Sequence, residues 1–332
     1  MNNNIKIALV GCGALAKTFY LPVLKRLGIN LFALVDPSME KTKELAKQWS
    51  IKKVIASPEE IVDVVDAAII ASPNFLHTSQ AKLFLEKGKH VLLEKPIAST
   101  ENEVMELIET AGRSGAVLQP GMMRRFWKIN KAVKKLLQEE LLGKLKTITM
   151  QEGAVLNWPV ESTAIFDSAL SLGGVFMDTG SHTLDLLSWW VGDKNFELEY
   201  EDDNYGGVDA DCRLAVNFID KAVKAEVKLS RIRNMPNEFI LTGAKGWIKL
   251  KPYANIFESS NRTIDKYIYN LYSAADLKQQ SFEDLFAEQV KSWQQAIEQD
   301  SEPVVSAESV LPSIRMIEQG YKNRRQLNYA WN

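Results

Sequence analysis

In "GGVFMDTGSHTLD", Asp178 and His182 stand four residues apart at the start of an apolar helical pattern. That spacing puts both side chains on one helix face. A carboxylate and an imidazole so placed can hold a hydroxyl and take its proton at neutral pH. The plainer alternatives are a capping acid and a satisfied, half-buried histidine. In "HVLLEKPIAS" an apolar strand ends on Glu94 and Lys95, and Pro96 restricts the backbone just beyond. A lysine in a partly dry cleft can neutralise a developing alkoxide or polarise a carbonyl. Otherwise it is a solvated lysine; in both cases Glu94 is its expected partner. Asp185 reads as a solvated helix acid and His90 as structural. With three histidines in the chain and no third ligand in evidence, no metal site is expected.

These residues need elements to hold them. From residue 5 to about 120, short apolar runs ("IKIALV", "LFALV", "AAII", "HVLLE", "AVLQP") alternate with helix-period stretches, the pattern of a parallel sheet with crossover helices. Ser57-Pro58-Glu59-Glu60 and Ser99-Thr100-Glu101 are marked as helix starts by a small polar cap and acidic first turn. After the first strand, Gly11-Cys12-Gly13-Ala14-Leu15-Ala16 has the form G-x-G-x-x-A. Gly11 permits a tight turn, Gly13 lets backbone approach a pyrophosphate, and Ala16 lets helix and strand pack closely. Asp36 ends the second strand 20 positions after Ala16, where a carboxylate can accept hydrogen bonds from an adenosine ribose and would repel a 2'-phosphate. NAD is therefore the expected cofactor, ahead of NADP. Ser72-Pro73-Asn74 leaves another strand end and can wall the cofactor while His77 enters the next helix. Asn74 reads equally well as a helix cap.

The second half has another rhythm. "LKTITMQEGAVL", "DCRLAVNFI", "KAVKAEVKLS", "NEFILTG" and "GWIKLKP" read as longer strands, with a tight hairpin at "KAV", and antiparallel pairing is expected. Helical patterns cover about 174–191, 281–299 and 306–325. At 332 residues, 46% hydrophobic and 25% charged, the chain is long enough for two domains with a cleft between them. Its net charge of −2 gives no general attraction to nucleic acid or acidic membranes. Two cysteines 200 positions apart suggest no disulfide framework and fit a reducing compartment. No apolar run approaches the ~18 residues of a membrane span, and "MNNNIKIALV" lacks the form of a signal peptide, so a cytoplasmic location is expected.

Taken in order, "ALVGCGALA", "ASPNFLH", "LLEKPIAS", "GMMRRF" and "GGVFMDTGSHTLD" resemble the Gfo/Idh/MocA family of nicotinamide-dependent oxidoreductases, which includes inositol dehydrogenases and glucose-fructose oxidoreductase. The resemblance runs over nearly the whole chain. It implies an α/β architecture: an N-terminal Rossmann domain with a doubly wound parallel sheet, residues 1–121, and a C-terminal α/β domain on a large, mostly antiparallel open sheet, residues 122–332. The open face would form homodimers or homotetramers. By the same resemblance Lys95, Asp178 and His182 are the catalytic residues. Gly11, Gly13, Ala14, Leu15, Asp36, Ser72, Pro73, Asn74, His77, Glu94 and Lys95 would meet the cofactor. Arg124, Asn157 and Trp158 would join Lys95, Asp178 and His182 around a sugar or polyol, with Arg231 a further candidate. The Lys95-Pro96 peptide is expected to be cis. Two positions depart from the family pattern: Leu172 precedes Gly173-Gly174 where three glycines are usual, and Pro159 follows Trp158 where many members have arginine.

The reaction implied is reversible oxidation of a secondary alcohol on a sugar, polyol or sugar derivative. A rival reading is reduction of a keto group on a nucleotide-linked sugar, for which "RRFWKINKAVKK", with six basic residues in twelve, would meet the diphosphate. A second rival is a non-catalytic NAD-binding sensor that kept the fold.

Overall fold

The computed structural model describes residues 5–155, 166–204, 207–251, 253 and 256–327. The first half builds a six-stranded sheet from β1 (Ile7–Val10), β2 (Leu31–Val35), β3 (Lys53–Ile55), β4 (Ala67–Ile70), β5 (His90–Leu93) and β6 (Leu118–Pro120). The strands lie in the order β3-β2-β1-β4-β5-β6 and every pairing is parallel. β1 and β4 are buried along their whole length, which is why they read as unbroken apolar runs. Between them run α1 (Leu21–Arg26), α2 (Met39–Gln48), α3 (His77–Glu86) and α4 (Glu101–Ser114). A π-helical turn, Ala16–Tyr20, leads into α1. Thr100 caps α4 with a full capping box through Glu103, and Gly115 ends it in the left-handed conformation. The start marked at Ser57 also has its capping box, but it opens a three-residue 3-10 turn, Pro58–Glu60, in place of a helix.

After α5 (Lys128–Gln138), an eight-stranded sheet is formed by β7 (Leu145–Gly153), β8 (Phe196–Asp202), β9 (Asp211–Phe218), β10 (Val223–Ser230), β11 (Glu238–Gly243), β12 (Trp247–Lys251), β13 (Ile256–Ser259) and β14 (Arg325–Gln326), in the order β13-β12-β11-β7-β10-β9-β8-β14. β9 and β10 form the expected hairpin, with Ala222 left-handed in its turn (φ 53°). The sheet is mostly antiparallel, as expected, with two parallel pairings, β7 with β10 and β14 with β8. The reason is topological, because the long excursion between β7 and β8 includes α6 (Ser168–Ser171) and α7 (Val175–Val191), so β10 returns alongside β7 rather than by a hairpin. α7 lies on β9 and β10, while the opposite face of the sheet alternates outward, as in Lys224, Glu226 and Lys228 of β10. The remaining helices are α8 (Arg262–Leu271), α9 (Ala274–Lys278), α10 (Phe282–Gln299) and α11 (Leu311–Lys322).

α10 packs back on the first sheet. Phe286 stacks on Phe19 (4.6 Å between centroids) and meets Tyr20 edge-on. The Gln119 amide donates to Gln289 O (2.8 Å) and accepts from the Ser292 hydroxyl (2.8 Å). α11 ties to α4 through Arg315, whose guanidinium grips the Glu101 carboxylate. Among the described residues no helix is long and apolar enough to cross a membrane.

Candidate active site

The glycine turn follows β1. Gly11 is left-handed (φ 88°), and a Cβ there would lie 2.5 Å from Ser72 N and 2.6 Å from the Ala71 carbonyl. The protein itself thus requires this glycine. A Cβ on Gly13 would meet nothing within 4 Å, so its bareness serves no protein contact and leaves the open approach that suits a pyrophosphate. Ala14 and Leu15, both partly exposed, open the helix behind it. Asp36 lies just past β2 with Oδ2 accepting the Cys12 N–H (2.9 Å) and Oδ1 the Ser38 N–H (2.8 Å), which aims the carboxylate beside the turn. These residues fit a dinucleotide. Burial, with the Asp36 charge next, pushes the Cys12 thiol up to about 12, so it stays protonated and inert.

At the end of β4 the Ser72 hydroxyl donates to Gln80 (2.6 Å), Pro73 is exposed, and the Asn74 amide donates across to Ser171 O (3.0 Å). Asn74 makes no cap; its side chain spans to the other half of the molecule instead. His77 is buried, with Nδ1 2.7 Å from Pro96 O and Nε2 2.9 Å from Ser72 O. Burial lowers its pKa below the ordinary 6.5. Its ring is a strut between the two strand-end loops.

β5 ends on Glu94, Lys95 and a cis peptide to Pro96. Glu94 is not the partner of the Lys95 ammonium. It is buried beneath the strand, taking the Tyr20 hydroxyl on Oε1 (2.5 Å) and the Lys95 N–H on Oε2 (3.1 Å), and burial raises its pKa against those hydrogen bonds. A chain-local reading pairs neighbours; the fold instead supplies Tyr20, 74 positions away, and frees the ammonium to point out of the strand.

There Lys95 Nζ donates to Asp178 Oδ1, and Arg231 donates to Asp178 Oδ2 (2.6 Å). Lys95 comes from the first sheet, Asp178 from α7 and Arg231 from the end of β10. The Asp178 side chain is 49% exposed and that of Lys95 18%, so the carboxylate keeps an accessible face. Burial would raise the Asp178 pKa, but Lys95 and Arg231 together hold it well below the usual carboxylate range. His182 lies one turn further along α7, 8% exposed, and its Nδ1 has no hydrogen-bond partner among the described residues. Burial first, then the cations of Arg124 and Lys95, push its pKa well below 6.5 against the pull of Asp178. The imidazole is neutral and able to accept a proton.

Arg124 is buried behind this set. Nη1 contacts both Glu152 carboxylate oxygens (2.9 Å each), Nη2 donates to the Tyr253 hydroxyl (2.6 Å), and Thr183 and Tyr253 also donate to Glu152. Arg125 forms a fork on Asp185 (2.8 and 2.6 Å) and reaches Ser309. Asp185 is thus a buried ion-pair partner and not a solvated acid; the apolar surroundings of α7 would not tolerate it unpaired. Within the basic run the two arginines are paired inside the protein, Lys134 donates to Trp189 O and Lys128 pairs with Asp276. His90 accepts the Val117 N–H (3.0 Å), a structural role as expected. Asn157 and Trp158 lie outside the described residues. Sequence reasoning missed Tyr20, Glu152, and Asp209 and Tyr321, which accept amides at the start of α7. The last two had one signal, a helix opening on Gly173-Gly174 with no capping side chain of its own.

Two family models cover most of the chain. Residues 5–122 match the Gfo/Idh/MocA model described as oxidoreductase family, NAD-binding Rossmann fold, and residues 134–329 match its C-terminal alpha/beta domain. The scyllo-inositol 2-dehydrogenase (NADP(+)) IolU of Bacillus subtilis (strain 168) is 34% identical over 147 residues, 44% of this chain and 44% of that protein. D-glucoside 3-dehydrogenase of Escherichia coli (strain K12) is 27% identical over 192 residues, 57% of this chain and 54% of that protein. The chain spans about half the length of these curated relatives. The crystal structure of aldose-aldose oxidoreductase from Caulobacter crescentus, complexed with glycerol, shares the fold at a TM-score of 0.81 and 22% identity, over 96% of this chain and 97% of that one.

Proposed function

Because the chain belongs to the Gfo/Idh/MocA family of oxidoreductases, we propose that it is a nicotinamide-dependent dehydrogenase or reductase acting on a secondary alcohol, or the matching ketone, of a sugar, polyol or sugar derivative. The observation that carries this reading is the contact of Lys95, from the dinucleotide half, with Asp178 of α7, one turn before His182 on the same helix. Residues 1–121 hold the dinucleotide and residues 122–332 the substrate. Gly11, Gly13, Ala14 and Leu15 would face its pyrophosphate, Ser72, Pro73 and Asn74 would wall it, and Asp36 would take the ribose, which favours NAD over NADP. When bound, the nicotinamide supplies hydride acceptance or donation.

The proton is the protein's task. In oxidation Asp178 accepts a hydrogen bond from the substrate hydroxyl and orients it. Lys95 stabilises negative charge developing on that oxygen, and His182 takes the proton. In reduction His182, as imidazolium, returns it. Names among the relatives set the first compounds to test: inositols and glucosides, with aldoses beside them.

Turnover is followed by nicotinamide absorbance across that panel, with NAD and NADP compared. Lys95→Met should lower kcat on the order of 10²–10³-fold while leaving dinucleotide affinity nearly unchanged. Near-normal turnover in that variant, with a substrate the wild type converts, would sink the assignment; NAD binding with no turnover of any compound would favour a sensor.

A further inference from the structure

The helix that carries Asp178 and His182 begins without a cap of its own. Gly174 stands at its N-cap and has no side chain to offer, so the amides from Gly174 to Met177 need acceptors from elsewhere. Two residues far along the chain supply all of them. Asp209 is buried and takes the Gly174 N–H on Oδ1 (2.9 Å) and the Phe176 N–H on Oδ2 (2.8 Å), while its backbone carbonyl takes the Val175 N–H (2.8 Å). The Tyr321 hydroxyl, from α11, donates to Asp209 Oδ1 (2.8 Å) and accepts from the amides of Gly174 and Met177 (3.2 Å each). A carboxylate also suits the positive end of the helix dipole.

The fit leaves no room for a side chain. A Cβ on Gly174 would lie 1.8 Å from Asp209 O, and one on Gly173 2.2 Å from the Tyr321 hydroxyl oxygen. The same short segment seats the second cation of the site. The Arg231 N–H donates to Ala210 O (2.7 Å), one residue past Asp209, and the Arg231 guanidinium then holds Asp178. Asp203 fixes this segment in turn by accepting the Ala210 and Asp211 amides (2.8 and 2.9 Å).

We propose that Asp209 and Tyr321 are positioning residues for the reaction: they fix the first turn of α7 and the seat of Arg231, so that Asp178 is held between Lys95 and Arg231. The proposal rests on the reading of Lys95, Asp178 and His182 given above. Asp178 lies one turn from the clamp, so rotation of that turn swings its carboxylate away from both cations. His182, a turn deeper, is held by the buried body of the helix. Displacement of a reacting group by ~1 Å costs on the order of 10²-fold in rate.

The test compares Asp209→Ala, Asp209→Asn and Tyr321→Phe with the wild type and with Lys95→Met, each well below its melting temperature. Asp209→Ala should lower kcat on the order of 10²-fold, with the substrate KM and dinucleotide affinity little changed. Asp209→Asn, which keeps an acceptor, should recover part of the loss. Tyr321→Phe keeps the edge-on contact of its ring with Phe176 (5.3 Å) and loses only the hydroxyl, and should fall in between. Two readouts need no cofactor or substrate: faster amide exchange at residues 174–177, and a shifted NMR titration of His182, one of three histidines in the chain. If Asp209→Ala does not fold, Tyr321→Phe decides by the same measures. Folded variants with wild-type kcat, exchange and His182 titration overturn the clamp. Wild-type turnover in Lys95→Met instead overturns the reading of the site, and the clamp is then judged on exchange and titration alone.

Discussion

At the scale of single residues, the cleft is defined by how cations are shared out. Asp178 is gripped by Lys95 and Arg231, while Arg124 is neutralised by Glu152 just behind His182. The depressed His182 pKa has a kinetic sign. Oxidation needs the neutral imidazole, so its kcat should hold a plateau as pH falls through 6.5 and drop only below that value. Reduction needs the imidazolium and should decline as pH rises from the same low midpoint. A pH profile of kcat in both directions checks this, and an oxidative acid limb at or above 6.5 would count against His182 as the base. Lys95, Asp178 and His182 could be picked out as candidates in the sequence because strand ends and helix spacing are local, and the fold brings Lys95 onto Asp178. Their partners could not be picked out. Tyr20 under Glu94 and Glu152 beside Arg124 are joined only by the fold, as are the two arginines of the basic run with Glu152 and Asp185.

At the scale of elements, the first sheet could be read strand by strand because fully buried parallel strands are continuous apolar runs. α8 escaped that reading, since Ile264, Tyr267 and Ile268 are strand formers placed at helical spacing. The parallel pairing of β7 with β10 was equally hidden, for it depends on where the chain goes between them. α7 is the element on which the site depends most, and its start has no tolerance for a methyl group. Gly174→Ala would drive Cβ against the Asp209 backbone and should lower stability by about 1–3 kcal/mol, measured by urea denaturation. Wild-type stability in that variant would mean that the start of α7 can shift without cost. Leu172 shows the opposite: it sits left-handed (φ 64°) in the same turn, a conformation a glycine would take more easily.

At the scale of the whole molecule, the two halves are tied at several points: Lys95 to Asp178, Asn74 to Ser171, Arg315 to Glu101. We propose that the open face of the eight-stranded sheet joins subunits. Charged side chains such as Arg213, Glu226, Lys228, Lys249 and Glu258 form ion pairs on that half of the molecule. Contact through such a surface should weaken with salt. Light scattering with size-exclusion chromatography at low and high salt checks this; a monomer under both conditions would remove the proposal. The packing of α10 has a further consequence for how the chain comes to be folded at all. The ring of Phe19, the hydroxyl of Tyr20 and the amide of Gln119 are completed by Phe286, Gln289 and Ser292, residues translated long after the first sheet. On the ribosome, therefore, the nascent N-terminal half must wait with an uncovered flank until 282–299 emerges. During that interval its apolar surface stays open to solvent, where such surface is prone to association.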